Sequence, residues 1–125
     1  MPARRLLAVA ALAALTTAPL AARAQDAAAG EAVFKKQCAI CHSPVQGKNM
    51  IGPSLFGIVG RTAGTVPNFR YSPANKNSGI VWDAAKLDPY LTNPKAVVPG
   101  TIMTYAGLKD ATQRADLIAY LETLK

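Results

Sequence analysis

Residues 43–79 restrict the possible folds of this chain most strongly, because they are dense in residues that break regular structure. The segments SPVQGKN, IGPS, VGRTAGTVPN and YSPANKNSG follow one another within this stretch. Glycine, proline, asparagine and serine favour turns, so we expect loops here and no strand long enough to build a sheet. Such a stretch buries little of its own surface, and the fold must be organised by the segments on either side.

Helices are predicted on both sides of this loop-rich stretch. Before it, small and apolar residues recur at three- and four-residue steps from Ala27 to Cys38 and define one helix face. After it, Asp83 should cap a helix in which Pro89 causes either a kink or a restart, with Asp88 as a second cap. The last helix is predicted to begin at Asp110. Its apolar stripe comprises Leu117, Tyr120, Leu121 and Leu124.

A chain of 125 residues with so much loop needs a staple or a cofactor, because a small domain buries a low fraction of its surface. Cys38 and Cys41 are the only cysteines in the sequence. A disulfide between them would close only a very short loop and could not join distant segments. We therefore expect a bound group to fill the middle of the domain.

Both cysteines and the only histidine lie in the pentapeptide CAICH, from Cys38 to His42. A thioredoxin-like dithiol normally follows a strand of a βαβ unit, and this sequence has no such pattern. Structural zinc needs four ligands, and the fourth would have to be a carboxylate. The C-x-x-C-H spacing instead suits haem, because two thiols one helical turn apart can react with its two vinyl groups while the adjacent imidazole binds the iron. The motif predicts one haem c, attached covalently through Cys38 and Cys41.

The iron face opposite His42 decides between electron transfer and small-molecule chemistry. Without a second histidine, the candidate ligands there are Met50, Met103 or a lysine. Met50 follows His42 closely, whereas Met103 lies in a downstream Pro-Gly-Thr loop that could cover the opposite face. Spacing alone leaves open whether Met103 is a ligand or a buried core methionine.

Residues 1–24 have the pattern of a secretory signal peptide. Arg4 and Arg5 precede an apolar run that ends in an A-x-A cleavage signal at Ala24. The run is interrupted well before it reaches the length of a membrane span. We expect cleavage after Ala24 and an exported domain over residues 25–125, without a membrane span.

Cleavage would remove three arginines and lower the formal net charge from +7 to +4. The remaining charge favours acidic protein or lipid surfaces, and we expect no nucleic-acid partner for an exported protein.

Five segments resemble class I cytochrome c, of the mitochondrial type and its small bacterial periplasmic relatives. In order, they are GEAVFKKQCAICH, IGPSLFGIVGR, YSPANKNSGIVW, NPKAVVPGTIM and RADLIAYL. The resemblance covers essentially the whole chain after residue 24. It implies an all-α fold in which long loops wrap the haem and the first and last helices cross. The implied crossing places Gly30 and Phe34 against Leu117 and Tyr120.

The resemblance also implies roles for the site residues. His42 and Met103 would bind the iron, and Cys38 and Cys41 would hold the haem. Pro53 would accept a hydrogen bond from the second ring nitrogen of His42. The haem propionates would be hydrogen-bonded by Arg61, Tyr71 and Trp82. A polar network beside the methionine sulfur would comprise Asn75, Tyr90 and Thr101.

By the same resemblance, the chain is a periplasmic monohaem electron carrier, a monomer and not an enzyme. It would accept electrons from a membrane quinol-oxidising cytochrome complex and deliver them to a terminal oxidase, a photosynthetic reaction centre or a periplasmic enzyme. The alternative is a haem peroxidase or a gas-binding protein with an open iron, which requires that Met103 does not bind.

The sequence departs from the resembling family at the expected docking face. Positions that commonly carry lysine around the exposed haem edge here carry Gln37, Met50, Ala96 and Ile102. Tyr105 stands where phenylalanine is common. We expect a docking face that is less charged and more apolar, so that electron transfer to an acidic partner depends only mildly on salt.

Overall fold

The computed structural model describes residues 25–125, which form five helices and several long loops. The helices are α1 (Ala27–Gln37), α2 (Pro73–Lys76), α3 (Ala84–Thr92), α4 (Pro94–Val97) and α5 (Ala111–Glu122). These residues contain no β-strand, although an isolated antiparallel bridge joins Thr62 and Val81. The predicted all-α fold is confirmed. The predicted signal peptide, residues 1–24, lies outside the described residues.

The three longer helices each begin at an aspartate whose carboxylate accepts hydrogen bonds from backbone N–H groups in the first turn. These aspartates are Asp26, Asp83 and Asp110, with bond lengths between 2.8 and 3.0 Å. Such caps satisfy amide groups that have no partner inside the helix. The predicted caps at Asp83 and Asp110 are confirmed.

Helix α3 continues through Pro89 as one element. The alternative of a restart with Asp88 as a second cap is therefore wrong, and the Asp88 carboxylate instead pairs with Arg114 of α5 at 2.9 Å. Leu87 and Leu91 are buried on either side of the proline, so packing against the core holds the helix despite the missing amide proton. None of the helices within residues 25–125 is long and apolar enough to cross a membrane.

Helices α1 and α5 pack directly against each other, as the resemblance implied. Gly30 is buried at the crossing, where a Cβ atom would overlap the Asp116 carbonyl oxygen and would lie 2.9 Å from the Tyr120 Cβ. The rings of Phe34 and Tyr120 are 5.4 Å apart, and Leu117 is fully buried. Glycine at position 30 therefore permits the close approach of the two helices.

The hydrophobic core joins these helices to α3 and to the loops. Its buried members include Phe34 and Leu117 from the crossing, Leu87 and Leu91 from α3, and Ile58 from the loop-rich stretch. Cys38, Met103 and Tyr105 pack against its edge. The core therefore supports both the cysteine segment and the loop that carries Met103.

Candidate haem-binding site

A cavity of about 430 Å³ lies beside this core and is bounded by the C-terminal end of α1, by residues of α3 and α5, and by the long loops. All eleven residues singled out from the sequence line it: Cys38, Cys41, His42, Pro53, Arg61, Tyr71, Asn75, Trp82, Tyr90, Thr101 and Met103. Its volume falls within the range of cofactor sites. The fold thus brings together residues that are up to 65 positions apart in the sequence, from Cys38 to Met103.

The cysteine segment is a turn that continues directly from α1. The Cys38 N–H closes the helix by donating to the Phe34 carbonyl at 2.8 Å. The N–H groups of Cys41 and His42 both donate to the Cys38 carbonyl, at 3.0 and 2.9 Å. This turn places both thiols and the imidazole on the lining of one cavity. Since the turn continues from α1, the packing of α1 against α5 fixes its position.

The two thiols are free and half-buried. Burial, with a smaller contribution from the neighbouring Cys41, raises the pKa of Cys38 to about 11. A reactive dithiol needs a lowered thiol pKa, because the thiolate is the nucleophile. Within the described residues, no group of three or more histidine, cysteine or acidic side chains is arranged to hold a metal ion. The raised pKa of Cys38 therefore disfavours thiol exchange.

The imidazole of His42 has a fixed orientation. Its Nδ1 donates to the Pro53 carbonyl oxygen at 2.7 Å, which leaves Nε2 free to bind a metal ion. Burial lowers the pKa of His42, and the bond to Pro53 opposes that shift. The ring is therefore neutral near pH 7, as metal binding requires.

Gly52 is a site residue that the sequence analysis did not identify. A Cβ atom at this position would overlap the His42 ring. The Gly52 N–H also donates to the Cys41 carbonyl at 2.8 Å. This bond holds the loop around Gly52 close to the cysteine segment. Its position directly before Pro53 was the available signal, because glycine often marks a close backbone approach.

Two buried polar atoms on the cavity lining have no hydrogen-bond partner within the described chain. They are Nε of Arg61 and Oδ1 of Asn75. Arg61 does use Nη1, which donates to the Thr65 carbonyl at 3.2 Å. An unpaired buried guanidinium nitrogen is costly, and a bound anionic group would satisfy it. Haem propionates have that chemistry, so the lining of the cavity fits the group that the sequence predicted.

Tyr71 and Trp82 lie on the same cavity as Arg61. The Tyr71 hydroxyl accepts a hydrogen bond from the Val66 N–H at 3.2 Å, so its own proton remains able to donate. Burial raises the pKa of Tyr71, and the bond from Val66 opposes that shift. The Trp82 backbone is fixed by its N–H, which donates to the Arg61 carbonyl at 2.9 Å.

Met103 is held by a group of polar contacts in an irregular loop. Its N–H donates to the Thr101 hydroxyl oxygen at 3.2 Å, and the Tyr90 hydroxyl lies 3.7 Å from its sulfur. Tyr90 also shares a side-chain hydrogen bond with Thr101. Asn75 lines the same cavity, but its Oδ1 makes none of these contacts. The structure thus places a thioether sulfur and an oriented imidazole on a single cavity.

Exposed isoleucines surround the cavity opening. Ile40, Ile51 and Ile102 line the cavity, and 67–79% of their surface is exposed. Arg61 is the one formally charged side chain that contributes to the lining within residues 25–125. Fold and site together define a small all-α protein that is built to hold haem through a C-x-x-C-H segment.

Comparisons with known proteins agree with this class. The family model described as cytochrome c matches residues 27–125. Cytochrome c of Euglena viridis is 50% identical over 100 residues, which cover 80% of this chain and 98% of the relative. Cytochrome c2 of Blastochloris viridis is 54% identical over 102 residues, which cover 81% of this chain and 80% of the relative. The solved structure of cytochrome cH from Methylobacterium extorquens is 45% identical, with a TM-score of 0.74, and the match covers 78% of this chain and 98% of that one.

The chain belongs to the cytochrome c family, and its resemblance to class I members is confirmed. Its cofactor is haem c, attached covalently through Cys38 and Cys41.

Proposed function

We propose that this chain is a monohaem electron carrier in which His42 and Met103 are the two axial ligands of the iron. The observation that carries the proposal is the shared cavity, which both residues line together with the two cysteines. Nε2 of His42 is available because Nδ1 is engaged by Pro53. The Met103 sulfur belongs to a loop that is anchored through Thr101.

The bound haem supplies an iron that gains or loses one electron. The protein residues keep the imidazole neutral and oriented, position the thioether, and surround both with apolar side chains. Methionine as a ligand and an apolar lining both favour the reduced iron, so we expect a raised reduction potential. If the same two ligands serve both redox states, little has to rearrange when an electron moves.

With both axial positions occupied, the iron has no open position for a substrate. The proposed role is therefore a carrier and not an enzyme. The cytochrome c2 names of several relatives support electron transport as the role. We propose a periplasmic monomer that shuttles between a membrane quinol-oxidising cytochrome complex and a terminal oxidase, a reaction centre or a periplasmic enzyme.

Absorption spectroscopy of the holoprotein tests the ligation. The protein is produced in a host with haem-attachment machinery, and its spectrum is recorded in the oxidised and reduced states. We expect c-type haem bands and the weak far-red band of methionine-bound ferric iron, which the substitution Met103→Ala should abolish. Met50→Ala is the matched control, because Met50 is 43% exposed and does not line the cavity.

Carbon monoxide separates the carrier from the alternative enzyme or gas-binding protein. The reduced wild-type protein should bind it slowly, because the sulfur must leave first, whereas the Met103→Ala variant should bind it rapidly. Rapid binding by the wild type, together with a missing far-red band, would contradict the proposed ligation and favour an open iron.

Cell fractionation tests the proposed location. The holoprotein should appear in the periplasmic fraction, and its mass should correspond to a chain that begins at Gln25 after removal of residues 1–24. Retention of those residues, or recovery of the protein from the cytoplasm, would contradict export.

A further inference from the structure

Two departures from the common cytochrome c pattern contact each other at the cavity opening. The Tyr105 hydroxyl donates a hydrogen bond to the side-chain oxygen of Gln37 at 3.0 Å, across 68 residues of sequence. Both residues are half-buried, and both line the cavity. A phenylalanine at position 105 could not donate this bond, and a lysine at position 37 could not accept it.

The loop that contains Tyr105 has few other restraints. No described backbone carbonyl accepts a hydrogen bond from the N–H groups of residues 102–107. The nearest backbone anchors are the Thr101 N–H, which donates to Val98, and the Leu108 N–H, which donates to Leu91, at 3.0 and 2.8 Å. Side-chain contacts therefore determine how firmly the loop is held between these anchors, and Met103 lies between them.

Gln37 is a rigid anchor for this contact. It is the last residue of α1 and directly precedes Cys38. Helix α1 is fixed by its close packing against α5 at Gly30. The Tyr105 bond consequently connects the methionine loop to the segment that attaches the haem, by a path separate from the Tyr90 contact with the Met103 sulfur.

We propose that the hydrogen bond between Tyr105 and Gln37 is a latch that holds the Met103 loop closed. The two residues are positioning residues, since they act through the loop and not on the iron. The latch rests on the proposed role of Met103 as an axial ligand. An external ligand must displace the sulfur and move the loop, so the latch should weaken binding of that ligand.

Imidazole binding to the ferric holoprotein at pH 7 measures the latch. Bound imidazole removes the far-red methionine band, which gives a titration curve for each variant. Loss of a net hydrogen bond should make Tyr105→Phe bind imidazole about three- to tenfold more tightly than the wild type. Tyr120→Phe is the matched control, because it removes a hydroxyl that lies outside the cavity, and it should bind imidazole as the wild type does.

Variants of Gln37 test the partner independently. Gln37→Met removes the acceptor and should match Tyr105→Phe, whereas Gln37→Glu keeps an acceptor and should retain affinity near that of the wild type. The double variant Tyr105→Phe/Gln37→Met should bind no more tightly than either single variant, because one bond is lost in all three.

The possible results distinguish the latch from the ligation on which it rests. A wild-type protein without the far-red band would overturn both. A wild type with the band, but with imidazole affinity changed less than twofold by Tyr105→Phe, would overturn the latch alone. Fully additive effects in the double variant would also overturn it. If Tyr105→Phe fails to incorporate haem, Gln37→Met and Gln37→Glu still decide the question.

Discussion

The Tyr90 hydroxyl lies 3.7 Å from the Met103 sulfur, within reach of a weak hydrogen bond to a thioether on the cavity lining. Burial raises the pKa of Tyr90 to about 12, and a hydrogen bond with Thr101 opposes that shift. The hydroxyl therefore stays protonated over the ordinary pH range and remains a donor. A donor at this position withdraws electron density from the sulfur.

The substitution Tyr90→Phe should lower the reduction potential. With Met103 as the proposed ligand, loss of the donor should make the sulfur a better electron donor to the iron and stabilise the oxidised state. A weak hydrogen bond at the lower end of the net range, about 0.5 kcal/mol, corresponds to a decrease of about 20 mV when its whole free energy differs between the two redox states. Spectroelectrochemical titration measures the change, with Tyr120→Phe as the control. An unchanged or increased potential in Tyr90→Phe would contradict the proposed contact.

The substitution Gly52→Ala should disturb the histidine side of the site, because the added Cβ atom would overlap the His42 ring. The ring would have to move and would lose its hydrogen bond to Pro53. We expect a large decrease in the yield of holoprotein with intact methionine ligation, measured from the haem bands and the far-red band. Gly47→Ala is the control, because no atom lies within 4 Å of a Cβ there. Gly47 has a positive φ of +74° and Gly52 does not, so any backbone strain from the added Cβ falls on the control. Normal spectra and yield for Gly52→Ala would show that the ring has more room than the structure indicates.

The substitution Arg61→Gln should lower the reduction potential by a few tens of mV. In the proposed holoprotein, the half-buried positive charge of Arg61 would lie beside the haem and favour the reduced iron, so its removal should stabilise the oxidised form. Arg70→Gln removes the same charge from an exposed position outside the cavity and should shift the potential much less. Equal shifts in the two variants would indicate that only the overall charge matters.

The substitution Gly30→Ala should destabilise the fold. Its Cβ atom would overlap the Asp116 backbone at the helix crossing, and backbone is harder to displace than a flexible side chain. The expected loss is about 3 kcal/mol of unfolding free energy. Denaturant unfolding measures the loss. The control is Ala32→Gly at an exposed position of α1, which should lose only about 1 kcal/mol because glycine has a lower helix propensity than alanine. A loss for Gly30→Ala no larger than that of the control would contradict close packing of α1 and α5.

Electron transfer to an acidic blue-copper protein should depend only mildly on ionic strength. The exposed residues Ile40, Ile51 and Ile102 at the cavity opening contribute no charge that salt could screen. Ile102→Lys should raise the rate at low salt and make the decrease with salt steeper. Val81→Lys adds the same charge outside the cavity lining and should have a smaller effect. A steep dependence already present in the wild type would contradict an apolar docking face.

The local elements were predicted well from sequence where local chemistry determines them. Asp83 and Asp110 were identified as caps because a short carboxylate side chain before an apolar stripe has a known local role. At Pro89, local propensity left two alternatives open, a kink or a restart of the helix. The restart was wrong, because burial of Leu87 and Leu91 keeps α3 continuous. Packing outweighed propensity at that position.

The sequence by itself determined which cofactor this protein binds, because CAICH places two thiols and an imidazole within one turn. Haem attachment can be inferred from that local spacing without any contact between distant segments. Only the tertiary structure decided that Gly52 must lack a side chain beside His42, that Tyr90 reaches the Met103 sulfur, and that Tyr105 meets Gln37. These contacts join different segments of the chain, and the distance between those segments in space depends on the crossing of α1 and α5 and on the path of the long loops. Spacing along the chain does not encode such distances, because they depend on how the whole domain packs.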